Sequence, residues 1–227
     1  VPTPAMGGMI NEMGPGERRT VEFPAAFNLK VFDFTNEQPG TGEIIVTYRS
    51  RGRAGTQSRS VPFTLYDKTT LTWDDDRKVA AFMTSRDENV RRYGSSVRQA
   101  CRASEVDVLS SALQIAMETY HAIAELGLIY QSDPVQPFAV MQEQRFATDT
   151  VNLPLDTLTR ATGDCDDLTV LYNSILESSG VQTAFVTTPG HIFSAVNTNV
   201  SAREFERVHP DRSMTLVWND ELWVLVE

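Results

Sequence analysis

The chain has 227 residues, enough to bury a real core and to divide into two compact units, and it carries 30 acidic against 20 basic side chains for a formal net charge of −10 at pH 7. That balance argues against nucleic acid and anionic lipid as partners. No run of about 18 apolar residues occurs, so no membrane span is expected, and two cysteines, Cys101 and Cys165, are too few for a disulfide scaffold.

Residues 1–17, rich in Pro, Gly and Met, predict a flexible arm. Residues 18–77 carry β-type segments divided by turn signals: "TVEFPAAFNLKVFDF", "EIIVTYRS" and "SVPFTLYD" read as strands, with "NEQPGTG" and "RGRAGTQS" as the turns between them. Ile44, Val46 and Tyr48 alternate with Glu43, Ile45 and Thr47, the period of a half-buried strand. A small β-rich, sandwich-like domain is expected, closing at "TWDDDRK", where Asp74, Asp75 and Asp76 read as a solvated turn rather than a metal site.

From residue 87 the periodicity becomes helical. Val90, Tyr93, Val97 and Ala100 predict a short helix. Ser104 and Asp107 read as a capping pair for a longer one, with Val106, Leu109, Leu113, Ala116, Tyr120, Ile123 and Gly127 as its stripe. Residues 130–154 carry three prolines and little period, and predict an extended crossing segment. A third helix opens in "GDCDD", with Leu168, Leu171, Tyr172, Ile175 and Leu176 on one side and Gly180 as its stop. Strands "QTAFVTT" and "HIFSAVN", a polar excursion, and strands "MTLVW" and "LWVLVE" complete the chain. Helices followed by consecutive strands predict an α+β domain over 78–227, with helices packed on an antiparallel sheet. The last strand runs to the end of the sequence, which admits further domains of a longer chain.

Cys165 in a first helical turn, His191 opening a strand after a Pro-Gly turn, and Glu227 on a later strand follow the order of a nucleophile, a base and an orienting acid. Antiparallel neighbours in one sheet would set Glu227 behind the imidazole. Asp211 and Asp220, in turn-like stretches, are weaker candidates for the acid; His121 reads as a helix-surface residue and His209 as a loop residue. The aspartates around the sulfur are the difficulty. A carboxylate about 7 Å away costs the thiolate roughly 2 kcal/mol at an effective dielectric near 20, and a helix end returns only about 0.3 to 1 kcal/mol. A nearby cation is therefore required: protonated His191 is one candidate, and calcium on the oxygens of Asp164, Asp166 and Asp167 is another, the alternative being first-turn carboxylates that stabilise the helix start, with Asp167 packed against the domain.

The segment "GDCDDLTVLYNSILESSGVQTAFVTTPGHIFSAVN" resembles the bacterial transglutaminase-like cysteine peptidase family, over about residues 149–227. The lead-in "VNLPLDTLTRATGDC" is similar to that family's W-Q-x-P-x-x-T-L approach to the cysteine, with Val151 and Asn152 in place of Trp and Gln. The resemblance implies a papain-like fold and a hydrolase acting on peptide or side-chain amides of a protein or peptide substrate through a thioester. Cys165 would be the nucleophile, His191 the base, Glu227 the acid and Asn152 an oxyanion ligand; Glu227 stands where the family more often has Asp. It implies no required cofactor, admits calcium at Asp164 and Asp166, and suggests an extracytoplasmic location. Transfer of the acyl group to an amine, and a non-catalytic binding module of an exported assembly, stand as alternatives.

Overall fold

A computed structural model describes residues 7–22, 27–103, 109–132, 148–207 and 212–227. The chain forms two compact units, Val1–Lys68 and Thr69–Glu227.

In the first unit, strands β1 (Gln38–Ser50) and β2 (Arg53–Leu65) pair antiparallel along their whole length. Arg51 and Gly52, at φ 48° and 77°, make the two-residue turn, whose positive dihedrals match the twist of the flanking strands. The turn expected across "RGRAGTQS" thus shrinks to two residues, and the rest extends the ladder. Ile44, Ile45, Val46 and Tyr48 are all exposed, so the alternation reports a pleat and not a buried face. The segment "TVEFPAAFNLKVFDF" does not form the expected strand in its described part. Asn28 accepts a hydrogen bond from Lys30 N (3.0 Å) and turns Leu29–Asp33 into a 3-10 helix. Among the described residues this unit holds one hairpin and no second sheet, so the sandwich is not formed there.

The second unit begins earlier than the expected boundary at 77. Strand β3 (Thr70–Thr72) pairs with β5 (Thr148–Thr150), and Leu71 and Trp73 are buried with Val151, Cys165 and Ile192 in one cluster. Asp75 caps the 3-10 helix Asp76–Phe82 by accepting from Arg77 N (3.1 Å), while Asp74 pairs with Lys78. Helix α1 (Glu88–Ala103) follows, then α2 (Ser111–Glu125), capped by Ser110, whose hydroxyl accepts from Leu113 N at 3.2 Å. The expected capping pair Ser104 and Asp107, and Val106, lie outside the described residues, as do His209 and Asp211. So does most of the expected crossing segment, whose described ends hold β4 (Ile129–Tyr130) and β5. Helix α3 (Pro154–Arg160) ends at Ala161 in the left-handed region (φ 55°). Strand β6 (Thr162–Gly163) then lies parallel to β4.

Helix α4 (Cys165–Ser178) is the hub. Leu171, Ile175 and Val90 of α1 form one cluster, and Tyr172 and Leu176 join Ala112 and Ala116 of α2 and Val196 of the sheet in another. Helices α1 and α4 come together at Gly94, where a Cβ would stand 2.4 Å from Ser178 Oγ and 3.2 Å from Ile175 O. Beneath lies a four-stranded antiparallel sheet in the order β7-β8-β10-β9, built from β7 (Thr183–Thr188), β8 (His191–Ser201), β9 (Thr215–Trp218) and β10 (Glu221–Val226). The unit is thus mixed α+β, with helices on an antiparallel sheet. Strand β8 runs through "TNVS", expected as loop, because Thr198 donates to Leu222 O (2.7 Å) and a bulge with Asn199 at φ 54° keeps the polar stretch in the ladder.

Candidate active site

Two elements position the candidate pair, Cys165 and His191. The left-handed Gly190 (φ 81°) turns the chain from β7 into β8, so His191 opens a strand whose next residue, Ile192, is packed with Cys165 in one cluster. The hydroxyl of Thr169, one turn into α4, lies 2.5 Å from Cys165 O and 3.4 Å from Ile192 O. This shared donor ties the helix start to the strand start. Cys165, His191 and Glu227 all line one cavity of about 520 Å³.

Strand β10 brings the acid. Val226 pairs with Ser194, so Glu227 stands one step further toward the His191 end of β8, and its Oε1 lies 3.1 Å from His191 Nε2. The approach is oblique, and among the described residues Nε2 makes no hydrogen bond of good geometry. Phe193 holds the other flank of the ring, with centroids 5.7 Å apart and planes inclined at 30°. Asp220 is excluded as the partner. It sits beside Glu221, which pairs with Ser201, ten residues and roughly 30 Å along β8 from His191.

Burial is the first cause that pushes the Cys165 thiol above its ordinary value, and the charge of Asp164 is the second. Backbone N–H groups of Ile192, Asp166 and Cys165 itself face the sulfur and pull the other way. The net shift is upward, so the resting group is a thiol.

Asp164, Asp166 and Asp167 bring carboxylate oxygens within 4.8 Å of one another, all buried. Asp166 is fully buried, and its acid is pushed well above the usual range by burial first, then by its hydrogen bond and charge interaction with Asp164 and by the charges of Asp149 and Asp167. Among the described residues no donor reaches Asp166 Oδ2. Burial and the neighbouring carboxylates thus favour the neutral form of Asp166, with its proton turned toward Asp164. Asp167 is likewise raised, chiefly by burial, against the two donors of Asn152: its backbone N at 2.6 Å and its Nδ2 at 2.7 Å. Gly163 permits this packing, since a Cβ there would stand 2.7 Å from Asp167 Cβ.

Asn152 does not take the expected place at an oxyanion. Its amide is held between Asp167 and Arg160, whose Nη1 donates to Asn152 Oδ1 at 2.7 Å, and it is not part of the cavity wall. It clamps the carboxylate two residues after the cysteine. Three contributors carried no sequence signal of their own: Asp149, buried and accepting from Trp73 Nε1 (2.8 Å); Thr169; and Tyr130, set in the cavity wall by the β4–β6 pair. Asp149 and Tyr130 lie within the aperiodic segment, and Thr169 reads as an ordinary helix residue.

Cys101 and Cys165 are both free and buried. The chain matches no family model, no curated protein and no solved structure.

Proposed function

We propose that the second unit is a cysteine hydrolase acting on amide bonds through Cys165, His191 and Glu227. The carrying observation is Glu227 Oε1 at 3.1 Å from His191 Nε2 in the same cavity as the Cys165 sulfur. With Nε2 turned to the acid, Nδ1 is the nitrogen left for the thiol. His191 takes the proton of Cys165 as the sulfur attacks the amide carbonyl. The oxyanion faces the backbone N–H groups of Cys165 and Asp166 at the start of α4, which lie beside the sulfur. His191 then gives the proton to the departing amine, leaving a thioester that water or a second amine resolves. Glu227 orients the ring and stabilises the imidazolium that forms. The likeness of residues 149–227 to the transglutaminase-like cysteine peptidases supports the same reading.

The raised thiol selects among variants of this chemistry. A preformed thiolate–imidazolium pair is disfavoured by burial and by Asp164, so proton transfer to His191 accompanies attack. Calcium, if bound, would be held by Asp164 and Asp166, whose orphaned Oδ2 and buried oxygen set suit a hard cation, and its charge would offset the carboxylates. A proton held by Asp166 would compete with the ion for the same oxygens.

Intact-mass analysis after exposure to a p-nitrophenyl acyl ester tests the proposal. An acyl adduct on Cys165, released by hydroxylamine and lost in Cys165→Ala, is expected. A binding module that has sealed its thiol would give no adduct above that of a free thiol at the same pH.

A further inference from the structure

The cavity beside Cys165 is far larger than a thiol and an imidazole need. Its volume is about 520 Å³, within the range of roughly 300 to 1,000 Å³ typical of ligand sites. Away from the reactive edge the wall is mostly carbon: Ile123 and Leu128 from the α2 side, Leu168 from α4, and Ile192, Phe193 and Val226 from the sheet, while the hydroxyls of Thr169 and Ser194 are bonded to Cys165 O and Asn173 Oδ1. Tyr172 contributes its ring alone, because its hydroxyl is spent on Ala116 O at 2.9 Å. A second hollow of about 350 Å³ shares Tyr120, Tyr172, Val226 and Glu227 with the first and continues along α2 toward Met117 and Met214.

The charges decide what this surface refuses. Neither hollow has a lysine or arginine among its described lining residues, and Glu227 stands at their shared edge with a side chain 79 % exposed. The acidic cluster lies behind the sulfur, and the chain as a whole is at −10. An anionic group would enter against like charge with no lysine or arginine among the described lining residues to pair it. A long cationic side chain would give up its hydration against carbon. A short polar side chain would leave most of the wall uncovered.

From the size, lining and charge we infer that the substrate presents a large apolar side chain, aliphatic or aromatic, next to the amide that Cys165 attacks, and that the second hollow takes a further apolar residue of the same stretch. The inference rests on the proposed chemistry for its meaning. The hollow itself is measured without it.

Methanethiosulfonates of different side groups read the hollow directly, because the group they transfer is tethered to the Cys165 sulfur. In Cys101→Ser protein at pH 8.5, the benzyl reagent is expected to modify Cys165 at least about tenfold faster than the methyl reagent, each rate divided by its rate with glutathione. The 2-sulfonatoethyl reagent is expected below the methyl one. Ala124→Trp, which fills the wall from an exposed helix position, and Tyr130→Asp, which places a charge in it, each return the benzyl ratio toward one. Equal normalised rates for benzyl, methyl and sulfonatoethyl reagents, or a benzyl advantage unchanged in both variants, overturn the inference. Failure of the proposed chemistry is seen separately, as absence of the acyl adduct in a protein that still prefers the benzyl group.

Discussion

Glu227 Oε1 stands 3.1 Å from His191 Nε2 because β10 runs antiparallel to β8 with Val226 opposite Ser194. Two residues 36 apart in sequence thus meet through sheet register alone. The carboxylate is largely exposed, so solvent shares the task of stabilising the imidazolium. Glu227→Gln is expected to slow acylation of Cys165 by about ten- to a hundredfold, short of the roughly 10⁴-fold loss found where the orienting acid is buried. Stopped-flow measurement of p-nitrophenolate release checks it; an unchanged rate removes Glu227 from the site.

The thiol carries its own pH signature. Burial and then Asp164 raise it, so the rate of alkylation by iodoacetamide is expected to climb with pH through an inflection above that of a free thiol, with no reactive plateau in weak acid. Asp164→Asn removes the second cause while keeping a competent helix cap, and should move the inflection down. A plateau between about pH 5 and 7 in wild type would indicate a preformed ion pair and contradict the resting thiol.

Asp166 inverts the usual acid behaviour. Its folded acid is raised, so the stability it contributes is fully present below the unfolded carboxyl value of 3.8 and is lost as pH rises through the folded value. Asp167, also raised, adds to the same slope. Asp166→Asn carries a permanent N–H toward Asp164 and is expected to flatten the fall of Tm with pH and to melt above wild type at pH 8 in chelator. A variant that melts lower there would falsify the protonated pair. Calcium reports on the same oxygens. A rise in wild-type Tm that Asp166→Asn lacks assigns the ion to Asp164 and Asp166, whereas unchanged values leave the proton as the occupant.

Two glycines separate fold from site. Gly94→Ala drives a Cβ onto Ser178, Ser179 and the Ile175 carbonyl, and should cost about 1 to 3 kcal/mol by overpacking while leaving acylation per folded molecule intact. Gly163→Ala presses on Asp167 Cβ instead, and should lower both stability and the acylation rate, since Asp167 sits in the turn that carries Cys165. Chemical denaturation paired with burst amplitude distinguishes the two.

The helix starting at Cys165, the strand starting at His191 and the antiparallel order that places Glu227 were legible because each rests on local pattern: a stripe, a Pro-Gly turn, a run of β-formers. The hairpin turn at Arg51–Gly52 and the extension of β8 through Thr198 were not, since both depend on partners across a ladder. The role of Asn152 was misread for a related reason. Its position before the cysteine suggested an oxyanion, but Gly163 lets Asp167 approach closely enough to claim both of its donors. The electrostatic difficulty at the sulfur was visible in "GDCDD", yet its scale depended on burial, which raises the Asp166 acid and favours its neutral form.

The central claim is that His191 serves Cys165 as its base. The most direct measurement is the burst rate of p-nitrophenolate release in wild type and His191→Ala at matched pH, with the adduct located by mass. The account predicts a Cys165-linked acyl group whose formation slows by about a hundredfold or more without the imidazole. Equal rates in the two proteins, or acylation no faster than that of a free thiol, would contradict it.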